Sequence, residues 1–160
     1  MKKIKLFSIS ILSVLLLFTS CKKDDNGTDD NDPQNNKNFL SAKIDGVDFL
    51  TDFPIYLSIT EKDVTISGQD EQNTMNIQIS IFDYNGPGTY TIESGTETEN
   101  IMTYIKGSVW QASDDIGSGT VTFIREGKFL KGTFSFNGVS LQDNTTKNIT
   151  EGLFNVQIVF

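Results

Sequence analysis

The side chains that ordinarily carry enzyme chemistry are nearly all missing from this chain. Its 160 residues include no histidine and a single cysteine, Cys21. Hydrolytic triads, most zinc sites and most neutral-pH proton transfers use imidazole, so three families of mechanism lose their usual centre. Without a second cysteine there is no intrachain disulfide, and stability has to come from packing. No GxGxxG, GxxxxGK[ST] or GxSxG stretch occurs, which removes phosphate cradles and nucleophile elbows. Gly86-Pro87-Gly88 and Gly117-Ser118-Gly119 lead into strands rather than helices and read as turns. The acidic cluster Asp24, Asp25, Asp29, Asp30 and Asp32 lacks the glycine position and the closing glutamate of an EF-hand loop. No metal and no cofactor are therefore expected.

Two kinds of side chain could still do something. A glycosidase needs only two carboxylates at a suitable separation, and Glu93, Glu97, Glu99, Asp114, Asp115, Glu126 and Glu151 are available. Each lies in or beside an expected loop, where acidic residues are ordinary solvated surface. Flat aromatic rings could stack on the apolar faces of sugars. Trp110, Tyr104, Tyr84 and Tyr56 fall outside the cleanest core stripes, and the first three are the candidate ligand-binding residues. The plainer alternative is that these rings cover sheet edges, with hydroxyl or indole N–H near water.

Cys21 belongs to a different chemistry. Lys2, Lys3 and Lys5 form a positive start, Leu6 to Phe18 an apolar run, and Thr19-Ser20 a small-residue zone, which is the three-part pattern of a secretory signal. A helix over that run covers about 20 Å, short of a bilayer's roughly 30 Å hydrocarbon core. A permanent span is not expected. The stretch from Leu15 to Cys21, followed at once by Lys22-Lys23-Asp24-Asp25, resembles the lipobox of bacterial lipoproteins. That resemblance implies that residues 1–20 are removed and that Cys21 is acylated, making the membrane a partner through its lipid. A plain signal peptide with an incidental cysteine is the alternative. Charged residues directly after the lipid cysteine also resemble surface-export signals, against the alternative of a generic solvated linker.

The formal charge is −8, and the excess of acid grows once the leader's lysines are gone. That argues against nucleic acid, and against adhesion of the domain to anionic headgroups through its overall charge. Residues 21–38 carry almost no apolar side chain, cannot offset the entropy of ordering, and read as a disordered acidic tether. As a flexible coil of about 17 residues it would reach roughly 20–25 Å.

From Phe39 to Phe160 the dominant period is two. Leu40, Ala42 and Ile44 alternate with polar residues, Asp45-Gly46 marks a hairpin, and Met75, Ile77, Ile79 and Ile81 make the cleanest face. Leu130, Gly132, Phe134 and Phe136 follow the Glu126-Gly127-Lys128 reversal, and Phe154, Val156, Ile158 and Phe160 form a last strand. No apolar stripe at helical spacing is present. The pattern predicts an all-β domain, an antiparallel meander of about nine or ten strands forming a sandwich or barrel. The longest loops are expected at Glu93 to Asn100 and Gln142 to Asn148.

Phe39-Leu40-Ser41-Ala42-Lys43-Ile44-Asp45-Gly46, Gly119-Thr120-Val121-Thr122-Phe123 and Gly132-Thr133-Phe134-Ser135-Phe136 together resemble a family of small, functionally uncharacterised Gram-negative lipoproteins. The resemblance implies a tethered all-β domain at the outer membrane or the cell surface, with no catalytic residues to carry over. Three functions are left open: a non-enzymatic module binding an unknown ligand or protein partner, a carboxylate-dependent glycan hydrolase, or a purely structural surface protein.

Overall fold

Side chains that alternate in polarity can bury one face of a strand and wet the other, and that is how this chain folds. The computed structural model describes residues 37–158 apart from 53, 54 and 61, and leaves the side chains of 55–57 and 126 undescribed. The expected leader 1–20, Cys21 and the tether to residue 36 lie outside the described residues, as do the side chains of Tyr56 and Glu126 and all of Phe160.

Eleven strands follow in chain order: β1 (Phe39–Ile44), β2 (Val47–Thr51), β3 (Ile55–Ile59), β4 (Val64–Gln69), β5 (Asn76–Ile81), β6 (Gly88–Glu93), β7 (Ile101–Lys106), β8 (Ser108–Ala112), β9 (Ser118–Glu126), β10 (Phe129–Val139) and β11 (Thr146–Gln157). No helix occurs among the described residues. All pairings are antiparallel, in the order β2-β1-β11-β10-β8-β7-β5-β4-β3, with β9 on β10 and β6 on β9. The sheet curls into a half-barrel. The curl turns on β10. Most of its length borders β9, from Phe129 beside Glu126 to Asn137 beside Ser118, whereas Val139 borders Gln111 of β8.

Two departures from a simple meander matter. The first and last strands pair, with Leu40 opposite Phe154, so the C-terminal strand is tied into the sheet as its apolar alternation requires. Strand β6 crosses from its chain neighbours to β9, leaving β5 and β7 to pair directly. Its Ile92 is fully buried, while Tyr84 and Tyr90 pack on Phe123 of β9 with ring centroids 5.4 and 5.6 Å away. Burial of that cluster favours the crossing.

The inner faces carry Leu40, Ile66, Ile77, Ile79, Ile81, Met102, Phe123, Leu130, Ile149 and Phe154, all essentially inaccessible to water. Close approach of the two walls depends on glycine. A Cβ on Gly68 of β4 would lie 2.9 Å from the Thr51 methyl and 3.1 Å from Leu40, and one on Gly119 would lie 3.1 Å from the Met102 sulfur. At Asp45-Gly46 both central residues have positive φ, 49° and 83°, as the expected type I′ turn requires.

Strand β11 contains one residue more than its neighbours. Gly152 lies opposite Phe134 and Ile149 opposite Phe136, and the register toward β1 slips at the same place. The extra residue is Glu151, at φ 51°, making a β-bulge. Because of it, Ile149 and Phe154 both point inward although five positions apart.

Candidate functional site

Three hairpin ends meet where the half-barrel opens: the β1–β2 turn, the β7–β8 turn at Gly107, and the connection from β10 to β11. Between them lies a cavity of about 330 Å3 lined by Ile44, Val47, Asp48, Tyr104, Lys106, Trp110 and Lys147. That volume is at the small end of the range for ligand pockets.

Each side chain is placed by a local rule. Tyr104 follows Met102 on the inner side of β7 and is buried, so its expected place outside the core is corrected; strict alternation from Met102 sends it inward. Trp110 sits three residues beyond Gly107, directly opposite Tyr104 in register. Their rings stack with centroids 5.6 Å apart and planes 25° from parallel. Gly138 of β10 makes room for the tryptophan, since a Cβ there would lie 3.0 Å from Trp110 Cβ. The indole Nε1–H donates to Thr145 Oγ1 at 2.9 Å, and that hydroxyl donates to Asp143 Oδ1 at 2.7 Å. Trp110 thus has the half-buried ring and satisfied N–H of an edge-covering residue while also lining the cavity.

Lys147 lies over the Trp110 ring, 5.6 Å from its centroid, and is 2.6 Å from Asp45 Oδ2. Asp45 Oδ1 accepts from the Asn148 backbone N–H at 2.9 Å. The Lys147 contact, followed by that backbone bond, holds the Asp45 carboxyl below its usual value, and the same Asp45 contact raises Lys147. Burial raises the Tyr104 hydroxyl. A half-buried indole backed by the buried Tyr104 ring and flanked by Lys106 and Lys147 offers stacking area and hydrogen-bond donors at one opening.

The other candidates go elsewhere. Tyr84 stacks on Tyr90, centroids 5.7 Å apart, in the cluster on Phe123, remote in register from Trp110. Tyr90 holds the neighbouring turn by donating to the Gly86 carbonyl at 2.7 Å, which explains the ring cluster without a ligand. The Glu93 to Asn100 segment docks on the β8–β9 turn, where the Gly95 N–H donates to the Asp114 carbonyl at 2.7 Å. The segment expected as a loop at Gln142 to Asn148 becomes strand from Thr146 onward, because pairing with β10 starts there. Thr145 and Lys147 of that segment reach the opening, and Lys147 is the member no sequence pattern marked. A lysine two positions before an inward-pointing isoleucine was the available signal.

None of the candidate carboxylates with a described side chain lines the opening. Glu93 and Glu151 both point to the outer face but sit on β6 and β11, three strands apart, about 14 Å at the usual strand spacing. Glycosidase pairs lie within about 10 Å. Glu151 is engaged with Lys43 at 2.7 Å. No group of three or more metal-ligating side chains occurs among the described residues.

A family model for a domain of unknown function, DUF6252, matches residues 36–156. No curated protein and no solved structure matches the chain.

Proposed function

The chain belongs to the DUF6252 family of domains of unknown function, and from the opening of the half-barrel and the sequence around Cys21 we propose a non-enzymatic, lipid-anchored binding module of the cell envelope whose ligand is a glycan. The observation that carries the reading is the convergence of Tyr104, Trp110, Lys106 and Lys147 on one cavity of ligand size. Tyr104 braces the indole from within, so the aromatic surface is pre-ordered and little side-chain entropy is lost on binding. Lysine ammonium groups and the backbone of three hairpin ends supply donors for sugar hydroxyls. The absence of histidine, and an opening whose lining includes none of the described candidate carboxylates, favour binding there over hydrolysis.

The anchor is Cys21, supported by the charged start, the apolar run and Ser20 immediately before it. It would hold the domain at the outer membrane, and Lys22-Lys23-Asp24-Asp25 favours the outer surface of the cell. Metabolic labelling with a fatty-acid analogue should mark the wild type and miss Cys21→Ala; equal labelling of both would end the anchor reading.

A glycan array with the whole protein tests the ligand class. Trp110→Ala should lose about 2 kcal/mol of binding, roughly thirty-fold, as expected for a central aromatic anchor. Unchanged binding would remove that ring from the site. An empty array would point to a protein partner or a structural role.

A further inference from the structure

The outer wall of the half-barrel carries a neutral, partly apolar face that the opening does not use. Two rows cross it in register. One runs Ile124, Lys131, Asn155, Phe39; the other runs Thr89, Thr122, Thr133, Leu153, Ser41, Leu50. Leu50 is 70% exposed, Ile124 56% and Leu153 47%. Shallow cavities of about 360 and 290 Å3 meet at Thr133 and Leu153, so the wall is grooved where these side chains stand; Glu151 also lines the larger one, paired there with Lys43 at 2.7 Å. The two rows hold one charged residue, Lys131, and no carboxylate, in a chain of formal charge −8. Most of the remaining surface would be repelled by anionic lipid, and these rows would not.

The chain also enters here. Asn155 Nδ2 donates to the Lys37 carbonyl at 2.8 Å, and the Gln157 N–H donates to Asn38 Oδ1 at 2.8 Å. The segment that leads back to Cys21 therefore joins the domain at the edge of this face, beside Phe39.

We propose that the face formed by Phe39, Leu50, Ile124 and Leu153 rests against the lipid surface to which Cys21 is anchored. The proposal depends on the anchor reading given above. Burial of three or four apolar side chains in the headgroup region supplements a lipid anchor without needing net positive charge. The geometry has a consequence for the opening. Ile44, Val47 and Lys147 lie at the far ends of β1, β2 and β11 from Phe39, so docking by this face leaves the cavity turned toward solvent.

The test uses the full acylated chain in vesicles of phosphatidylethanolamine and phosphatidylglycerol. A thiol-reactive environment-sensitive fluorophore is placed at Leu50→Cys, Leu153→Cys and, near the opening, Leu141→Cys. All three side chains are substantially exposed, and melting temperatures of the labelled proteins verify folding. Labels at 50 and 153 should shift to the blue and lose intensity to brominated lipid, and the label at 141 should do neither. Equal, water-like emission at all three positions while the protein floats with the vesicles overturns the proposal and leaves the anchor standing. If the protein without an added cysteine takes up label at Cys21 and fails to float, the anchor reading falls and this one with it. Unlabelled protein supplies a second measurement, since amide exchange along β2 should slow on vesicles and an unchanged rate would count against docking.

Discussion

Deleting Glu151 should be nearly harmless, although it lies inside the longest strand of the protein. The residue is an insertion relative to both neighbouring strands, and without it Ile149, Thr150 and Gly152 alternate in, out, in. The losses are an exposed, solvent-screened ion pair with Lys43 and the local bend of the bulge. Against them stands relief of a non-glycine residue from the left-handed region, about 1–2 kcal/mol. The net should fall within about 1 kcal/mol of wild type. Deleting Leu153 is the matched control. It forces one of two outcomes. Either Phe154, Val156 and Ile158 turn outward, or Glu151 turns inward and Gly152, whose Cβ position lies 2.6 Å from the Phe134 ring, leaves its slot. Exposing the three apolar side chains alone costs about 5–9 kcal/mol, comparable to the whole stability of a domain. Urea unfolding followed by Trp110 fluorescence measures both variants. If the Glu151 deletion fails to fold, the bend is required for the curl and the register argument is wrong; if the Leu153 deletion folds with wild-type stability, the inward assignment of Phe154 is wrong.

Phe134→Ala should cost about 3–5 kcal/mol in the same assay and Thr133→Ala far less, because the ring is buried and the threonine exposed; equal losses would mean an error of one residue in β10. Gly132→Ala should prevent normal folding, since its Cβ would overlap Phe154 Cζ and the Thr122 carbonyl oxygen, which is backbone; a wild-type melting temperature would refute that packing. Protection of the Asn148 amide should depend on acid. The folded Asp45 carboxyl titrates below its usual 3.8, so its contribution is complete above that value and is lost as pH falls through the folded value. Amide exchange at Asn148, corrected for the intrinsic rate, should therefore quicken only in that low range, and Asp45→Asn should abolish the dependence. A change centred near neutrality would exclude Asp45 as its source.

Much of this protein is determined locally. The alternation at Leu40, Ala42 and Ile44, at Ile77, Ile79 and Ile81, and at Phe134 and Phe136 specifies strands and their inward faces, because a side-chain period of two leaves few ways to bury the apolar half. Asp45-Gly46 specifies its own turn through the positive φ that both residues accept. The missing imidazole excludes whole mechanisms without any structure. Pairing between distant strands is another matter. Nothing in the Thr146 to Gln157 stretch announces that Glu151 is surplus, because a bulge is defined only against partners contributed by β1 and β10. The passage of β6 to β9 likewise depends on where Tyr84, Tyr90 and Phe123 can be buried together. The candidate site was half legible. Trp110 and Tyr104 stand out as aromatic residues, but their stacking follows from the hairpin register, and Lys147, 37 positions after Trp110, joins them only because β10 carries the sheet around its bend. Local chemistry selects each strand, and the opening exists only where the curled sheet brings three hairpin ends together.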